Sequence, residues 1–173
     1  PPHLSNDEIS IAYDAFSISQ TGKDTFGHFL PLSFQSHGTY KAPLAIYLAV
    51  PTTLIFGNNE YGVRLPSAIF GTLTVLILGL LIYELSSNRN LALLGSFILA
   101  ISPWHIYSSR MALESNIALF FVTLGLYLFF YGLNSKNKWI YLGSYLSFAL
   151  SLYGYHTEWG FTPFLLLTLW MFN

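Results

Sequence analysis

Long apolar runs alternate with short polar segments through most of this chain. Most of the runs beyond residue 60 are long enough to cross a bilayer core of about 30 Å as helices. We therefore predict an all-α fold, a multi-pass transmembrane bundle in which residues 1–173 form one membrane domain and residues 61–173 supply about five transmembrane helices. The runs cover residues 63–83, 91–107, 117–131, 139–155 and 161–172.

A shorter apolar run, residues 43–57, leaves two placements open. It contains Pro51, and as a helix it would extend at most about 22 Å, which is less than the bilayer core. If it crossed the bilayer, residues 1–39 would lie on the side opposite to the turn at 108–116. We favour a helix along the outer interface, which makes residues 1–60 an extracytoplasmic loop with juxtamembrane helices.

The N-terminal segment predicts one amphipathic helix followed by a loop. Ser5 or Asn6 can cap a helix that starts near Asp7, where acids suit the helix dipole. The helix is expected to end near residues 21–22, and residues 23–38 are expected to form a loop. Apolar residues at helical spacing predict that the helix rests on the membrane surface, and they are Ile9, Ala12, Tyr13 and Phe16.

The composition is typical of a membrane protein and limits the kinds of chemistry that the chain can perform. Hydrophobic residues make up 53% of the chain, charged residues only 9%, and the net charge is −1. This charge balance gives no sign of the basic surface that nucleic-acid binding requires. The chain has no cysteine, which excludes disulfides, thiol catalysis and thiolate metal sites but leaves the redox compartment open.

The cations in short loops predict the topology. Arg89 lies in one polar loop, and Lys136 with Lys138 lies in another. The positive-inside rule places both loops in the cytoplasm. The turn at 108–116 then lies outside, and so do the turns at 61–64 and 156–160. Because the chain starts at Pro1 and stops inside an apolar run, we expect it to be an internal piece of a longer membrane protein.

The outer face then collects acids and cations suited to transferring a group from a lipid phosphate. A carboxylate can accept the proton of an attacking hydroxyl, while Lys or Arg neutralises the departing phosphate. Interfacial helices would let a long lipid tail stay in the bilayer while its headgroup enters the cleft. The candidate catalytic acids are Asp7, Glu8 and Glu114, and the candidate substrate-binding residues are Lys41, Arg64, Arg110, His156 and Glu158.

Simpler interpretations exist for most of these residues. The acids of the first helix can serve only the helix dipole, and Lys41 can extend from a helix end into the headgroups. Arg110 and Glu114 are four residues apart and would pair within a helix. His156 can belong to an aromatic turn at the interface. His28 and His37 lack the spacing of metal ligands, so we predict no metal site there.

Four short motifs follow one another along the chain, and their order and spacing are distinctive. They are Asn6-Asp7-Glu8, Tyr40-Lys41-Ala42-Pro43-Leu44, the stretch FGNNEYGVRLPS at residues 56–67, and SRMALE at residues 109–114. Together they resemble the N-terminal half of the polyprenyl-phosphate-dependent membrane glycosyltransferases, a group that includes protein O-mannosyltransferases and lipid A aminoarabinose transferases. The resemblance spans nearly the whole chain.

The resemblance implies a function and a role for several residues. Asp7 would be the general base of an inverting displacement at the anomeric carbon of the sugar. Lys41 would lie near the lipid phosphate, and Glu114 would be a second acid on the outer face. Arg64 matches a recurring arginine whose role is open between substrate binding and structure.

Two positions depart from the aminoarabinose transferases. Tyr40 stands where those enzymes carry an acid that contributes to a metal site, so we predict no metal there. Residues 157–160 read Thr-Glu-Trp-Gly in place of Thr-Lys-Gly, which argues against phosphate binding by Glu158. The adjacent Tyr155-His156 pair suggests a different branch, with another sugar or acceptor. No cofactor is predicted, although a divalent metal is not excluded.

We therefore expect a glycosyltransferase in the plasma membrane with its active site on the extracytoplasmic face. Its expected partners are a polyprenyl-phosphate-linked sugar, a protein, lipid or glycan acceptor, and membrane lipid, and no nucleic acid. A multi-pass transporter and a non-catalytic assembly subunit are the alternatives. The transporter is disfavoured because ionisable residues are absent from the middle of the runs.

Overall fold

The computed structural model describes residues 3–36, 38–135 and 137–171, apart from the side chain of Thr39. His37 and Lys136 therefore lie outside the described residues. This part of the chain is mostly helical, as predicted. In chain order its elements are α1 (Asn6–Thr21), β1 (Phe34–Ser36), β2 (Thr39–Lys41), α2 (Pro43–Phe56), α3 (Glu60–Ser86), α4 (Arg89–Ile101), α5 (Pro103–Arg110), α6 (Glu114–Ser135), α7 (Lys138–Gly154) and α8 (Glu158–Met171).

Both ends of α1 follow the predicted capping pattern. The Ser5 hydroxyl accepts a hydrogen bond from the Glu8 backbone N–H, and the Ser5 N–H donates to the Glu8 carboxylate at 2.9 Å. This reciprocal pair satisfies two backbone donors that a helix start otherwise leaves open. Gly22 ends the helix in the left-handed region at φ 68°, a conformation that glycine adopts without steric cost.

Helix α1 has two apolar sides. Ile11, Ala15 and Ile18 are buried and pack into a core that also contains Phe34. Ala12, expected on the membrane-facing side, belongs to this buried side. The remaining residues of the predicted stripe are exposed, and they are Ile9, Tyr13 and Phe16. Their contact with a membrane surface stays a prediction.

The segment between α1 and α2 contains a short hairpin, so the prediction of an uninterrupted loop over residues 23–38 is wrong. Strands β1 and β2 pair antiparallel, with Phe34 opposite Lys41. Phe34 is fully buried and anchors the hairpin on the core beneath α1. The hairpin thereby fixes Lys41 at the end of β2, directly before α2.

Helix α2 is short and packs against α1, α3 and α7. Its 14 residues extend about 21 Å, too little to cross a bilayer core of about 30 Å upright. Pro51 lies inside the helix. The length agrees with the favoured interfacial placement, which itself stays a prediction.

The helices differ in their capacity to span a membrane. Within the described residues, α3 and α6 are each long and apolar enough to cross, and α4 with α5 makes a third span only if the bent pair counts as one. The run at 91–107 is not one straight helix, because α4 and α5 meet at 61°. Pro103 starts α5 and removes the backbone donor that a continuous helix needs. Helices α7 and α8 have 17 and 14 residues within the described part of the chain, and the number of about five spans stays a prediction.

Helix α3 is the centre of the packing and contacts α2, α4, α5 and α6, while α6 packs against α7. Close approach of α6 and α7 requires Gly125, because a Cβ there would lie 2.9 Å from the Phe148 ring. The Ser144 hydroxyl donates to the Gly125 carbonyl at 2.7 Å. Between α3 and α6, the Asn116 amide donates to the Ser67 carbonyl at 2.8 Å. These contacts position the N-terminus of α6 beside α1 and β2.

Candidate active site

Asp7 and Lys41 form an ion pair at the surface of the N-terminal segment. Asp7 lies in the first turn of α1, and Lys41 is the last residue of β2. The Lys41 ammonium lies 3.1 Å from Asp7 Oδ1 and donates to the Asp7 backbone carbonyl at 3.0 Å. The Lys41 side chain is 11% exposed and that of Asp7 is 77% exposed. A nearly buried cation therefore holds a carboxylate that is open to solvent.

Glu114 completes this cluster from the start of α6. Its carboxylate interacts electrostatically with Lys41 and Asp7 and accepts a hydrogen bond from the Ala42 backbone N–H. Its Oε1 atom is buried and has no hydrogen-bond partner among the described residues. The structure thus brings together three predicted site residues, Asp7, Lys41 and Glu114, which we call the acid–lysine cluster.

Glu8 and Arg64 make a second, buried ion pair next to the acid–lysine cluster. Arg64 Nε and Nη2 donate to the two Glu8 carboxylate oxygens at 2.6 and 2.9 Å. The backbone N–H groups of Ser5 and Ala112 donate to the same carboxylate at 2.9 and 3.0 Å. This fork-like geometry is the strongest form of an arginine–carboxylate contact.

The environment of Glu8 decides its protonation and its role. Burial raises the pKa of its carboxyl, but the hydrogen bonds from Arg64, Ser5 and Ala112 outweigh burial and lower the pKa to about 2. Glu8 is therefore ionised, fully buried and occupied by protein donors. Placing Glu8 among the catalytic acids does not fit this geometry, because no carboxylate surface is left for a substrate. We assign it to holding the first turn of α1, and so Asp7, in place.

Arg110 and Lys41 line different cavities. Helix α5 ends at Arg110 and α6 begins at Glu114, so the two residues do not share a helix and the simple i to i+4 ion pair does not apply. Arg110 is exposed. It lines a cavity of about 870 Å³ between α3 and α5, which we call the Arg110 cavity.

His156 faces a second cavity, of about 410 Å³, which also contains Lys41. We call this the Lys41 cavity, and its wall joins the β2–α2 junction to the turn between α7 and α8. The exposed His156 ring packs 5.4 Å from the ring of Trp159. The Trp159 indole N–H donates to the Leu152 carbonyl at 2.9 Å, which fixes the indole. The other lining residues are Leu32, Ser33, Ala42, Pro43, Leu152, Tyr153, Trp159 and Pro163.

Glu158 does not line the Lys41 cavity. Its carboxylate accepts a hydrogen bond from the Thr162 hydroxyl at 2.9 Å within the first turn of α8. This contact turns Glu158 toward its own helix. The structure therefore separates Glu158 from His156, although the two stand close together in the sequence.

No group of three or more metal-ligating side chains occurs within the described part of the chain. His28 instead pairs with Asp24, with its Nδ1 atom 3.0 Å from an aspartate oxygen. The Asp24 carboxylate also accepts from the backbone N–H groups of Phe26 and His28. These contacts shape the turn after α1.

Three features of the site escape sequence reasoning. Two are backbone N–H groups, of Ala42 and Ala112, which no residue pattern reveals. The third is the position of Trp159 in the Lys41 cavity. Its place at the end of an apolar run indicates an interfacial aromatic residue, but not which cavity it faces.

Comparison with known proteins was made for the whole chain. Residues 36–172 match the family model described as dolichyl-phosphate-mannose-protein mannosyltransferase. That range includes Lys41, Arg64 and Glu114 but not Asp7 or Glu8. No solved structure gives a significant match.

Two curated relatives are similar over much of the chain. One is an uncharacterized protein of Aquifex aeolicus (strain VF5), 30% identical over 112 residues, which are 65% of this chain and 22% of that protein. The other is named "Putative mannosyltransferase YkcB" in Bacillus subtilis (strain 168), 30% identical over 140 residues, which are 79% of this chain and 19% of that protein. The chain thus spans about a fifth of the length of these relatives. Because the family model covers most of its residues, this chain belongs to the dolichyl-phosphate-mannose-protein mannosyltransferase family.

Proposed function

We propose that this chain forms part of the catalytic centre of a membrane glycosyltransferase. The enzyme moves a sugar from a polyprenyl-phosphate donor to a hydroxyl group of a protein, lipid or glycan acceptor. The reaction takes place on the extracytoplasmic face and inverts the anomeric carbon. The observation that carries the proposal is the acid–lysine cluster, in which an exposed carboxylate, a nearly buried ammonium and a second acid meet at one place.

The cluster supplies the two charges that this reaction needs. The acceptor oxygen attacks the anomeric carbon, and the bond between that carbon and the phosphate oxygen breaks, so the polyprenyl phosphate leaves with the bonding electrons. Asp7 takes the proton from the attacking hydroxyl. Lys41 neutralises the charge that develops on the leaving phosphate. In-line displacement puts the base and the leaving phosphate on opposite sides of the reacting carbon, so the Lys41 ammonium, 3.1 Å from Asp7 Oδ1 in the free site, would turn from Asp7 towards the phosphate when the donor binds.

The Lys41 cavity suits the phosphate end of the donor lipid. Its lining is mainly apolar, with Lys41 and His156 as the residues able to carry positive charge. Lys41 and His156 would hold the phosphate, and Trp159 would pack against the first isoprene unit. A volume of about 410 Å³ lies within the range of small-ligand sites. The remainder of the prenyl chain would continue into the bilayer.

We assign Glu114 to orienting the sugar. Its buried Oε1 atom has no partner among the described residues, and leaving such an acceptor unpaired costs roughly 1–3 kcal/mol. A sugar hydroxyl that donates to this atom would remove the penalty when the donor binds. Glu114 therefore serves as a hydroxyl acceptor in the proposed site.

Substitution of Asp7 in the intact, membrane-embedded protein tests the proposal. Asp7→Asn keeps the size of the side chain but removes the base, and we expect sugar transfer to fall by about 10²- to 10⁴-fold. Binding of the polyprenyl-phosphate sugar should persist, because Lys41 is unchanged. Glu84→Gln is the matched control, since Glu84 lies near the opposite end of α3 and an amide can still accept the 2.6 Å hydrogen bond from Asn134.

The proposal fails if Asp7→Asn transfers sugar at the rate of the unaltered protein. It also fails if Lys41→Met leaves donor affinity and transfer unchanged. Equal losses in the Glu84→Gln control would show that the assay reports general damage to the protein. Uptake of a solute into proteoliposomes, with no sugar-transfer product, would favour a transporter.

A further inference from the structure

The Arg110 cavity is the larger of the two cavities and has no role in the proposed reaction. Its volume is about 870 Å³, and it shares no lining residue with the Lys41 cavity. Arg64 lines it and at the same time holds Glu8, the neighbour of Asp7. The Glu8–Arg64 ion pair thus stands between this cavity and the acid–lysine cluster.

The wall of the Arg110 cavity changes from polar to apolar along α3. It includes Glu60 at the start of the helix and Ala68 eight positions later, a distance of about 12 Å along the helix axis. Helix α3 is itself long and apolar enough to span a bilayer, so the wall runs from the membrane boundary into the apolar region. Leu65, Ala68 and Ile106 are apolar residues of its lining. An occupant that fits must be polar at the mouth and apolar inside.

The charged residues at the mouth of the Arg110 cavity favour a ligand with a single negative charge. Glu8 already neutralises Arg64 through two hydrogen bonds. Arg110 is exposed at the end of α5 and remains to face a ligand anion. Glu60, also in the lining, would repel a polyanion. A phosphodiester, with one negative charge, matches this arrangement better than a phosphate monoester.

We infer that the Arg110 cavity binds a bilayer phospholipid, with the headgroup phosphodiester at Arg110 and one acyl chain along Leu65, Ala68 and Ile106. This is a lipid site separate from the donor site, and it does not depend on the proposed transfer reaction. A cationic side chain near an anionic headgroup contributes enough attraction for about a fivefold change in lipid occupancy. The apolar inner wall supplies the rest through burial of the acyl chain.

Photochemical labelling of the intact protein in lipid vesicles tests this inference. The probe is phosphatidylglycerol with a diazirine on one acyl chain, and the comparison probe is diacylglycerol with the same chain but no phosphate. Mass spectrometry should locate the phosphatidylglycerol label within residues 60–68 and 103–111. Labelling there should exceed that by diacylglycerol and should fall about fivefold in Arg110→Gln.

Two further variants complete the test. Arg89→Gln removes an exposed cation at the start of α4, away from the cavity, and should leave the labelling unchanged. Ala68→Trp keeps Arg110 but fills the inner wall, and it should abolish labelling of both segments. Lys41→Met should also leave the labelling unchanged, because Lys41 belongs to the other cavity.

Several outcomes would overturn the inference. One is equal labelling by the two probes, and another is labelling that does not respond to Arg110→Gln. A photoreactive amino acid at position 68 that cross-links to another segment of the protein, and not to lipid, would show that polypeptide fills the cavity. Displacement of the label by a polyprenyl-phosphate-linked sugar, but not by unlabelled phosphatidylglycerol, would assign the Arg110 cavity to the donor and would also overturn the placement of the donor in the Lys41 cavity. The other results do not affect the test of Asp7 and Lys41.

Discussion

The buried Glu8–Arg64 ion pair gives the sharpest prediction about stability. In Glu8→Gln the amide keeps the shape of the side chain but leaves the Arg64 guanidinium without its counter-charge. Removing one partner of a buried pair destabilises a protein by roughly 3–5 kcal/mol. The pKa of Glu8, lowered from 4.5 to about 2, gives a similar figure of about 3 kcal/mol at 1.36 kcal/mol per pH unit.

The pH dependence of unfolding provides the assay. Because the pKa of Glu8 is lower in the folded protein than in the unfolded chain, its contribution is fully present above pH 4.5 and is lost as the pH falls from 4.5 towards 2. Thermal unfolding of the intact protein in detergent, measured between pH 3 and 7, should show Glu8→Gln several degrees less stable at neutral pH. The difference from the unaltered protein should shrink as the pH falls through this window.

A double variant separates the ion pair from simple loss of packing. Glu8→Gln combined with Arg64→Met removes the guanidinium and keeps an amide oxygen that can accept from the Ala112 backbone N–H. It should be less destabilised than Glu8→Gln alone, since no buried charge is left unpaired. Glu84→Gln is the control for the loss of an acid, because its hydrogen bond joins partly exposed side chains. Our reasoning would be refuted if Glu8→Gln unfolds at the same temperature as the unaltered protein at pH 7.

Three further substitutions test packing and local structure, the first two by thermal unfolding. Gly125→Ala should destabilise the protein by about 1–3 kcal/mol, because the added methyl overlaps the Phe148 ring; an unchanged midpoint would show that α6 and α7 can separate freely. Asn116→Ala should cost about 1–3 kcal/mol, since the Ser67 carbonyl loses its 2.8 Å hydrogen bond in a buried site; no loss of stability would mean that another donor replaces it. Asp24→Ala should open the turn after α1 and speed proteolysis there, and an unchanged cleavage rate would contradict this role.

Local features were predictable from the sequence where neighbouring residues decide the structure. Ser5 and Gly22 bound α1 because a cap depends on only a few adjacent residues. Hydropathy does not reveal the break at Pro103, although proline marks it, because the apolar run continues across it. The sequence does not reveal the hairpin at Phe34 either, because it is short and depends on a core formed by α1 and α2.

The candidate site was also predictable only in part from the sequence. Residue types and topology collected the charges of the outer face, and the resemblance to a known family singled out Asp7, Lys41 and Glu114. The fold brings these three together. The sequence does not show which of Asp7 and Glu8 faces the core. Neighbouring positions on one helix turn point in different directions, and both residues are acids. Only the packing of α1 against α3 shows that Glu8 is turned inward to Arg64.

The hydrogen bond from Ala112 to Glu8 also has a consequence for biosynthesis. It joins residues 104 positions apart, and ribosomes add about 5–20 residues per second. Ala112 is therefore synthesised roughly 5–20 s after Glu8. During that interval the nascent chain already carries Asp7, but the platform that orients it is still incomplete. The first turn of α1 therefore reaches its complete set of hydrogen bonds only after the segment that precedes α6 has been made.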